Sequence, residues 1–177
     1  TIGVQRATNY ALAPMTKDEF IEAVTQGLSV APLYFSFSAM RNKMDRPLLD
    51  ESESPPLLSL DEVLKARGRG AKVLDTRDAV EYQVGHLEGS LNVPLAGRFA
   101  EYVGEVIRSD SDIVLVCASG SECDARVRLA RIGFDRVIGS LCEPLSAFHE
   151  NPQLVSRSSR LTVHEFNNRR TSVPNLQ

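Results

Sequence analysis

The sequence predicts an α/β sandwich, a parallel sheet with helices on both faces, over the stretch that begins near Leu58. Three observations predict it. Strand-like and helix-like phrases alternate from Leu58 to Gly139 at the spacing of βα units. Lys72-Val73-Leu74-Asp75 and Ile113-Val114-Leu115-Val116 are short apolar runs that read as buried parallel strands. The second run delivers Cys117 into a loop of small residues that opens a helix, where Ala125, Leu129 and Ile132 recur at helical spacing and Gly133 stops the pattern.

The elements follow in order. Residues 1 to 15 show little periodicity and read as an extended connection. Thr16-Lys17-Asp18-Glu19 has the spacing of a capping box, and Phe20, Val24 and Leu28 continue an amphipathic helix with Gly27 as its stop. The phrase Ala31 to Phe37 is aromatic and proline-led, and its rings are expected to pack rather than to form a stacking platform for bases, since no basic groove accompanies them. Residues 45 to 57 are polar and proline-rich and read as a linker with a domain boundary in it. The preceding residues are few for an independent core, so they are expected to lean on something larger. A second capping box, Ser59-Leu60-Asp61-Glu62, opens a helix that closes at Arg67-Gly68-Arg69-Gly70. Val80-Glu81-Tyr82 suggests one helical turn, Leu91 to Pro94 a short strand, Phe99 to Ile107 a helix, and Arg136 to Gly139 a last strand. Leu161-Thr162-Val163-His164-Glu165-Phe166 repeats the apolar positions and the capping box of Leu58 to Val63, with Val173, Asn175 and Leu176 where the first copy enters its strand. The chain opens on Thr1 within a strand-like phrase, so it reads as an excised piece.

Composition excludes several classes. The 177 residues are 42% hydrophobic and 24% charged, as in an ordinary globular protein, and the net charge of −3 opposes general binding to nucleic acid or acidic lipid. No apolar run approaches a membrane span and no signal peptide opens the chain, which makes the cytoplasm the expected location. Three cysteines without a C-x-x-C pair make neither a disulfide framework nor a zinc site. Cys142 is expected to be a buried small apolar residue.

Cys117 carries the candidate chemistry. A thiol before a helix N-terminus faces backbone N–H groups and a dipole that favour an anion, the setting of a thiolate nucleophile. Glu122 and Asp124 place two carboxylates in the same first turn and oppose a negative sulfur.

Asp75-Thr76-Arg77, Glu81-Tyr82 and Gly85-His86-Leu87-Glu88-Gly89-Ser90-Leu91-Asn92-Val93-Pro94 together resemble the D-x-R…E-[FY]-x-x-G-H-I-x-G-A-x-N-[IV]-P signature of the rhodanese family, and the resemblance covers Leu58 to Phe148. It implies a rhodanese-like sheet in which Asp75, Arg77, Glu81 and His86 are scaffolding. From the residues themselves, Asp75 and Arg77 can pair or cap a turn, Gly85 and Gly89 can supply turns, and His86 can lock a turn through the backbone. The family's sulfurtransferase loop, C-x-x-G-x-R-[ST], has a persulfide-carrying cysteine and a supporting arginine. In register with it stand Cys117, Ala118, Ser119, Gly120, Ser121, Glu122 and Cys123, so an acid replaces the arginine. Arg126 lies one turn further on. The related phosphatase loop needs an arginine where Cys123 stands, which argues against a phosphatase.

Gly3 to Asn9, Pro14 to Phe20, Pro32-Leu33-Tyr34-Phe35 and Arg128 to Gly139 resemble metallo-β-lactamase-fold proteins fused to rhodanese domains, a group that includes persulfide dioxygenases and glyoxalase-like hydrolases. The resemblance implies that residues 1–54 are the tail of a metallo domain and linker, 55–150 a rhodanese-like domain, and 151–177 a linker and the start of a second one. It implies an upstream metal site holding Fe or Zn, on an H-x-H-x-D-H motif absent here; the histidines are His86, His149 and His164. No cofactor is expected in this chain itself. The expected partners are the upstream metallo domain, a downstream rhodanese domain and small sulfur compounds, with no nucleic acid or membrane. Two functions stay open: a degenerate, non-catalytic rhodanese domain, as the first of two commonly is, or a sulfurtransferase carrying sulfur on Cys117 from thiosulfate or a persulfide to a thiol or cyanide. A Cys117–Cys123 disulfide with a redox role is a third reading.

Overall fold

The computed structural model describes residues 1–28, 31–32, 34–45, 48–159, 161–170 and 172–173. They form two compact units, Thr1–Ala31 and Pro32–Gln177. In the first, the stretch expected to be extended is largely helical: α1 spans Ile2–Thr8 and a 3₁₀ turn spans Tyr10–Leu12. Polar side chains hid the helix, but Thr1 caps it by accepting from the Val4 N–H, and Asn9 caps the turn through Ala11 N–H. The next helix, α2 (Lys17–Thr25), starts on the expected capping box, with Glu19 Oε2 accepting from the Thr16 N–H at 2.7 Å. No described residue of this unit is buried except in part.

The second unit is the sandwich. Its elements are α3 (Phe35–Arg41), β1 (Leu57–Leu58), α4 (Leu60–Gly68), β2 (Lys72–Asp75), α5 (Ala79–Val84), β3 (His86–Leu87), β4 (Leu91–Asn92), α6 (Phe99–Val106), β5 (Ile113–Val116), α7 (Glu122–Arg131), β6 (Val137–Leu141), α8 (Pro144–Glu150), β7 (Val155–Ser156) and α9 (Val163–Arg169). Five strands pair in parallel in the order β1-β6-β5-β2-β4, which makes β5 the central strand. A separate antiparallel pair, β3 with β7, ties the residues after α8 back to the signature motif. Thr162 and Glu165 form the capping box expected at the second copy of the repeat. Asn175 and Leu176, expected to enter its strand, lie outside the described residues.

Period-two alternation along β5 divides the core. Ile113 and Leu115 pack with Phe99, Val103, Ala125, Leu129 and Phe134 under α6 and α7, whereas Val114 and Val116 pack with Val63, Ala66, Leu141 and Phe148 under α4 and α8. Cys117 continues the first set, so the thiol arrives at the carboxyl end of the central strand. The reading of Cys142 is corrected by its place in the turn between β6 and α8. Leu141 turns into the core and Cys142 is exposed.

The aromatic phrase before the linker packs on the sandwich. Tyr34 is buried in the α6–α7 core, Phe37 meets Phe134 edge-on at 6.3 Å, and Ser38 Oγ donates to the Ile132 carbonyl at 2.8 Å. Arg41 forms an ion pair with Asp135. The compact unit therefore starts at Pro32, ahead of the proline-rich stretch in which the boundary was expected, because these side chains fill the α6–α7 face. Gly104 permits this contact: a Cβ there would stand 2.3 Å from the Tyr34 ring. Gly104→Ala should accordingly destabilise the protein by about 1–3 kcal/mol in urea denaturation. Gly68→Ala, at an open helix end, should be neutral or stabilising.

Candidate active site

At the carboxyl ends of β2 and β5 the sequence places Asp75-Thr76-Arg77 beside Cys117-Ala118-Ser119. Asp75 is fully buried and Arg77 is 3% exposed. The guanidinium clasps the carboxylate bidentately, with Nε to Oδ1 at 3.0 Å and Nη2 to Oδ2 at 2.5 Å. Arg77 also donates to the Gly85 carbonyl at 3.0 Å, and its charged plane lies over the Phe148 ring, 5.1 Å from the centroid. Asn92 Nδ2 donates to the carbonyls of both Asp75 and Arg77, which fastens β4 to the same turn. Within the pair the two charges cancel.

The turn that follows is held in the same way. Asp78 caps α5, with its Oδ1 accepting from Val80 N–H, and Glu81 reaches back to the Asp78 N–H. His86 is buried, stacks on Tyr82 at 3.6 Å between centroids, and bonds through Nδ1 to the Tyr82 carbonyl at 2.7 Å. Tyr82 Oη in turn donates to the Ser90 carbonyl. Asp75, Arg77, Glu81 and His86 thus form one scaffold around the turn, and His86 does not line the cavity at Cys117. Gly89 has the left-handed φ of 77° that its turn needs, while Gly85 is extended.

Cys117 is 3% exposed and is the innermost residue of a cavity of about 260 Å³ lined by Arg77, Glu81, Ala118, Ser119, Glu143 and Leu145. The Thr76 hydroxyl donates to Sγ at 3.2 Å. Burial pushes the Cys117 thiol up to about 11 against that hydroxyl, and the carboxylates of Glu122 and Asp75 push it in the same direction as burial. Glu122 and Cys123 are half-buried in the first turn of α7, Ser121 Oγ turns back to the Ala118 carbonyl, and Gly120 has a φ of 85°. Arg126 does not turn to the thiol. Its guanidinium donates to the carbonyls of Asp50 and Glu53 at 2.9 and 2.7 Å and pairs with the Glu53 carboxylate at 3.1 Å. Among the described residues, no group of three or more His, Cys, Asp or Glu side chains is placed to hold a metal ion, and no helix is long and apolar enough to cross a membrane.

Sequence reading missed Thr76 as the partner of Sγ, although it stands inside the signature, and missed Glu143. Glu143 has a φ of 41°, followed by Pro144 at the start of α8, and its only sequence signal is an acid-proline pair after the last strand.

Comparison with known proteins follows this geometry. The model of the rhodanese-like domain matches residues 59–150. The tRNA uridine(34) hydroxylase of Escherichia coli O81 (strain ED1a) is 32% identical over 101 residues, covering 53% of this chain and 29% of that protein. That of Salmonella typhi is 28% identical over 138 residues, covering 69% of this chain and 39% of that protein. A metallo-beta-lactamase from Staphylococcus aureus subsp. aureus COL shares the fold, with a TM-score of 0.60 at 23% identity over 80% of this chain and 39% of that one. The chain spans well under half the length of each.

Two outcomes test the site. Arg77→Met leaves Asp75 as an uncompensated buried carboxylate and should cost about 3–5 kcal/mol in denaturant unfolding. The Cys117 pKa is raised by folding, so the stability it contributes is present below about pH 9 and lost as pH rises through about 11. Between those values the wild type should lose stability more steeply than Cys117→Ala, measured by urea titration at each pH.

Proposed function

Since the chain belongs to the rhodanese-like family, on a match that takes in residues 59–150, we propose that it is a non-catalytic rhodanese-like domain within a larger sulfur-handling protein. One observation carries this reading: the Cys117 thiol is buried, flanked by acids, and without a cation committed to it. A sulfurtransferase thiol must be available as thiolate. With a pKa near 11, the thiolate population at pH 7 is on the order of one in 10⁴. The cavity adds Glu81 and Glu143 to its lining, so thiosulfate, a dianion, meets negative charge at the entrance and Arg77 already neutralised by Asp75.

In this proposal the sandwich positions its neighbours. Residues upstream of Leu58 continue a metallo-β-lactamase-type domain, and those from Leu161 lead into a second rhodanese-like domain that carries the sulfur chemistry. The fold shared with the staphylococcal metallo-beta-lactamase supports the arrangement. The parent activity is then a metal-dependent persulfide dioxygenase or glyoxalase-like hydrolase, with Fe or Zn held upstream. The hydroxylation of tRNA uridine named for the bacterial relatives is a different parent activity, and the chain spans 29% to 39% of those proteins.

A working sulfurtransferase is the competing reading, favoured by the cavity that reaches Cys117. Intact mass spectrometry after incubation with thiosulfate separates the two. No sulfur should be gained at neutral pH, and a stable adduct that disappears in Cys117→Ser would overturn the proposal. Glu122→Arg replaces an acid that raises the thiol with a cation, and should lower its pKa by about one unit in a thiol titration.

A further inference from the structure

The proposed suppression of the thiol by Glu122 raises the question of why Arg126 does not relieve it. Glu122 and Arg126 stand four residues apart on α7, with the acid on the N-terminal side, the spacing and order in which a helix pairs opposite charges best. Among the described residues no such ion pair forms. Instead the Asp50–Glu53 segment lies along the start of α7. Two of its carbonyls and the Glu53 carboxylate surround the Arg126 guanidinium, which is only 17% exposed. Cys123 Sγ donates to the Glu51 carbonyl at 3.0 Å, and Arg131 faces the Glu51 carboxylate at 3.8 Å. An internal Asx turn, with Ser52 N–H donating to Asp50 Oδ1 at 2.9 Å, shapes the segment so that its carbonyls point at the helix.

We infer that the Asp50–Glu53 segment is an inhibitory strap: by holding Arg126 on its carbonyls it keeps that cation from Glu122, and its release raises the reactivity of the Cys117 thiol. This rests on the reading of Glu122 as a suppressor of the thiol. The strap's hold on Arg126 is multidentate and half-buried, whereas an exposed helix pair contributes only about 0.2–0.5 kcal/mol, so the strap wins while it is seated. Once it lifts, the guanidinium is released to pair with Glu122 along the helix, which offsets one of the two acids acting on the sulfur. Three residues separate the strap from β1, and α3 before it is packed on the same sandwich.

The test is alkylation of the full chain by iodoacetamide at pH 8, with the rates at Cys117 and Cys123 read separately by peptide mass spectrometry. The double reversal Glu51→Lys/Glu53→Lys sets two cations against Arg126 and Arg131, and uncovering of Cys123 reports that the strap has lifted. Where Cys123 stays protected, deletion of residues 50–53 supplies the release, with circular dichroism confirming the fold. The Cys117 rate should rise about two- to threefold on release. In an Arg126→Ala background the same release should leave the Cys117 rate unchanged, because the cation that does the work is gone. A Cys117 rate that stays flat while Cys123 is uncovered overturns the strap, and so does a rise that persists in Arg126→Ala. Glu122→Gln distinguishes the failures: if it accelerates Cys117 while strap release does not, the strap is wrong and the charge reading stands; if neither does, the charge reading fails.

Discussion

The buried ion pair between Asp75 and Arg77 is the constraint on which the rest of the site depends. Two charges two residues apart at a strand end are taken out of water together, a cost offset by their bidentate contact and by the further hydrogen bonds around them. Arg77 reaches the Gly85 carbonyl, so the pair also sets the distance between β2 and the turn after α5. Asn92 takes the two carbonyls of the same strand end, so β4 is fixed by the same residues. Phe148 covers the guanidinium from α8. One ionic contact therefore couples β2, α5, β4 and α8, and the floor of the Cys117 cavity is the underside of that arrangement.

The chemistry at Cys117 is decided first by burial and then by two acids, Glu122 outside the scaffold and Asp75 within it. The central position of β5 brings the thiol to the place where parallel sheets bind ligands, and the start of α7 offers a dipole to an anion. Burial, Glu122 and Asp75 act against the anion, and they prevail: the thiol ends near 11 although the Thr76 hydroxyl points at it. Each arginine of α7 that might have answered is engaged elsewhere. Arg126 is on the strap, Arg128 donates to the carbonyls of Leu95 and Gly97, and Arg131 faces Glu51.

Much of the fold was legible because it is carried by local patterns. Capping boxes at Thr16, Ser59 and Thr162 give away their helices from four residues each, and all three form. The β-branched runs of β2 and β5 announce buried strands. What escaped is held by distant partners. The two-residue strands β3 and β7 exist only because they pair across the sequence, and α3 takes its place through Phe134, Ile132 and Asp135, near the far end of the sandwich. α1 escaped for the opposite reason, since its cap is a single threonine at the chain start and none of its residues is buried. Cys142 was misjudged because residue type alone favours burial, whereas it stands in the exposed turn after β6. In the candidate site, the motif names Asp75, Arg77 and His86, but only coordinates reveal that Arg126 turns toward Asp50 and Glu53 and away from the loop.

The two halves of the site differ in how freely they can change. Asp75 and Arg77 are buried and satisfy one another, and buried His86 is held by Tyr82, so replacing either member of the pair strands a buried charge. Glu122 is half-buried and Ala118 and Ser119 are exposed, so substitutions among them carry little cost in folding. An acid can therefore occupy the position beside the thiol while the fold around it stays complete. Stability and sulfur chemistry overlap at Asp75 but separate at Glu122, so an intact signature motif testifies chiefly to the fold. The state of the thiol has to be read from the charges that surround it, and in this chain those charges include a segment of linker outside the motif altogether.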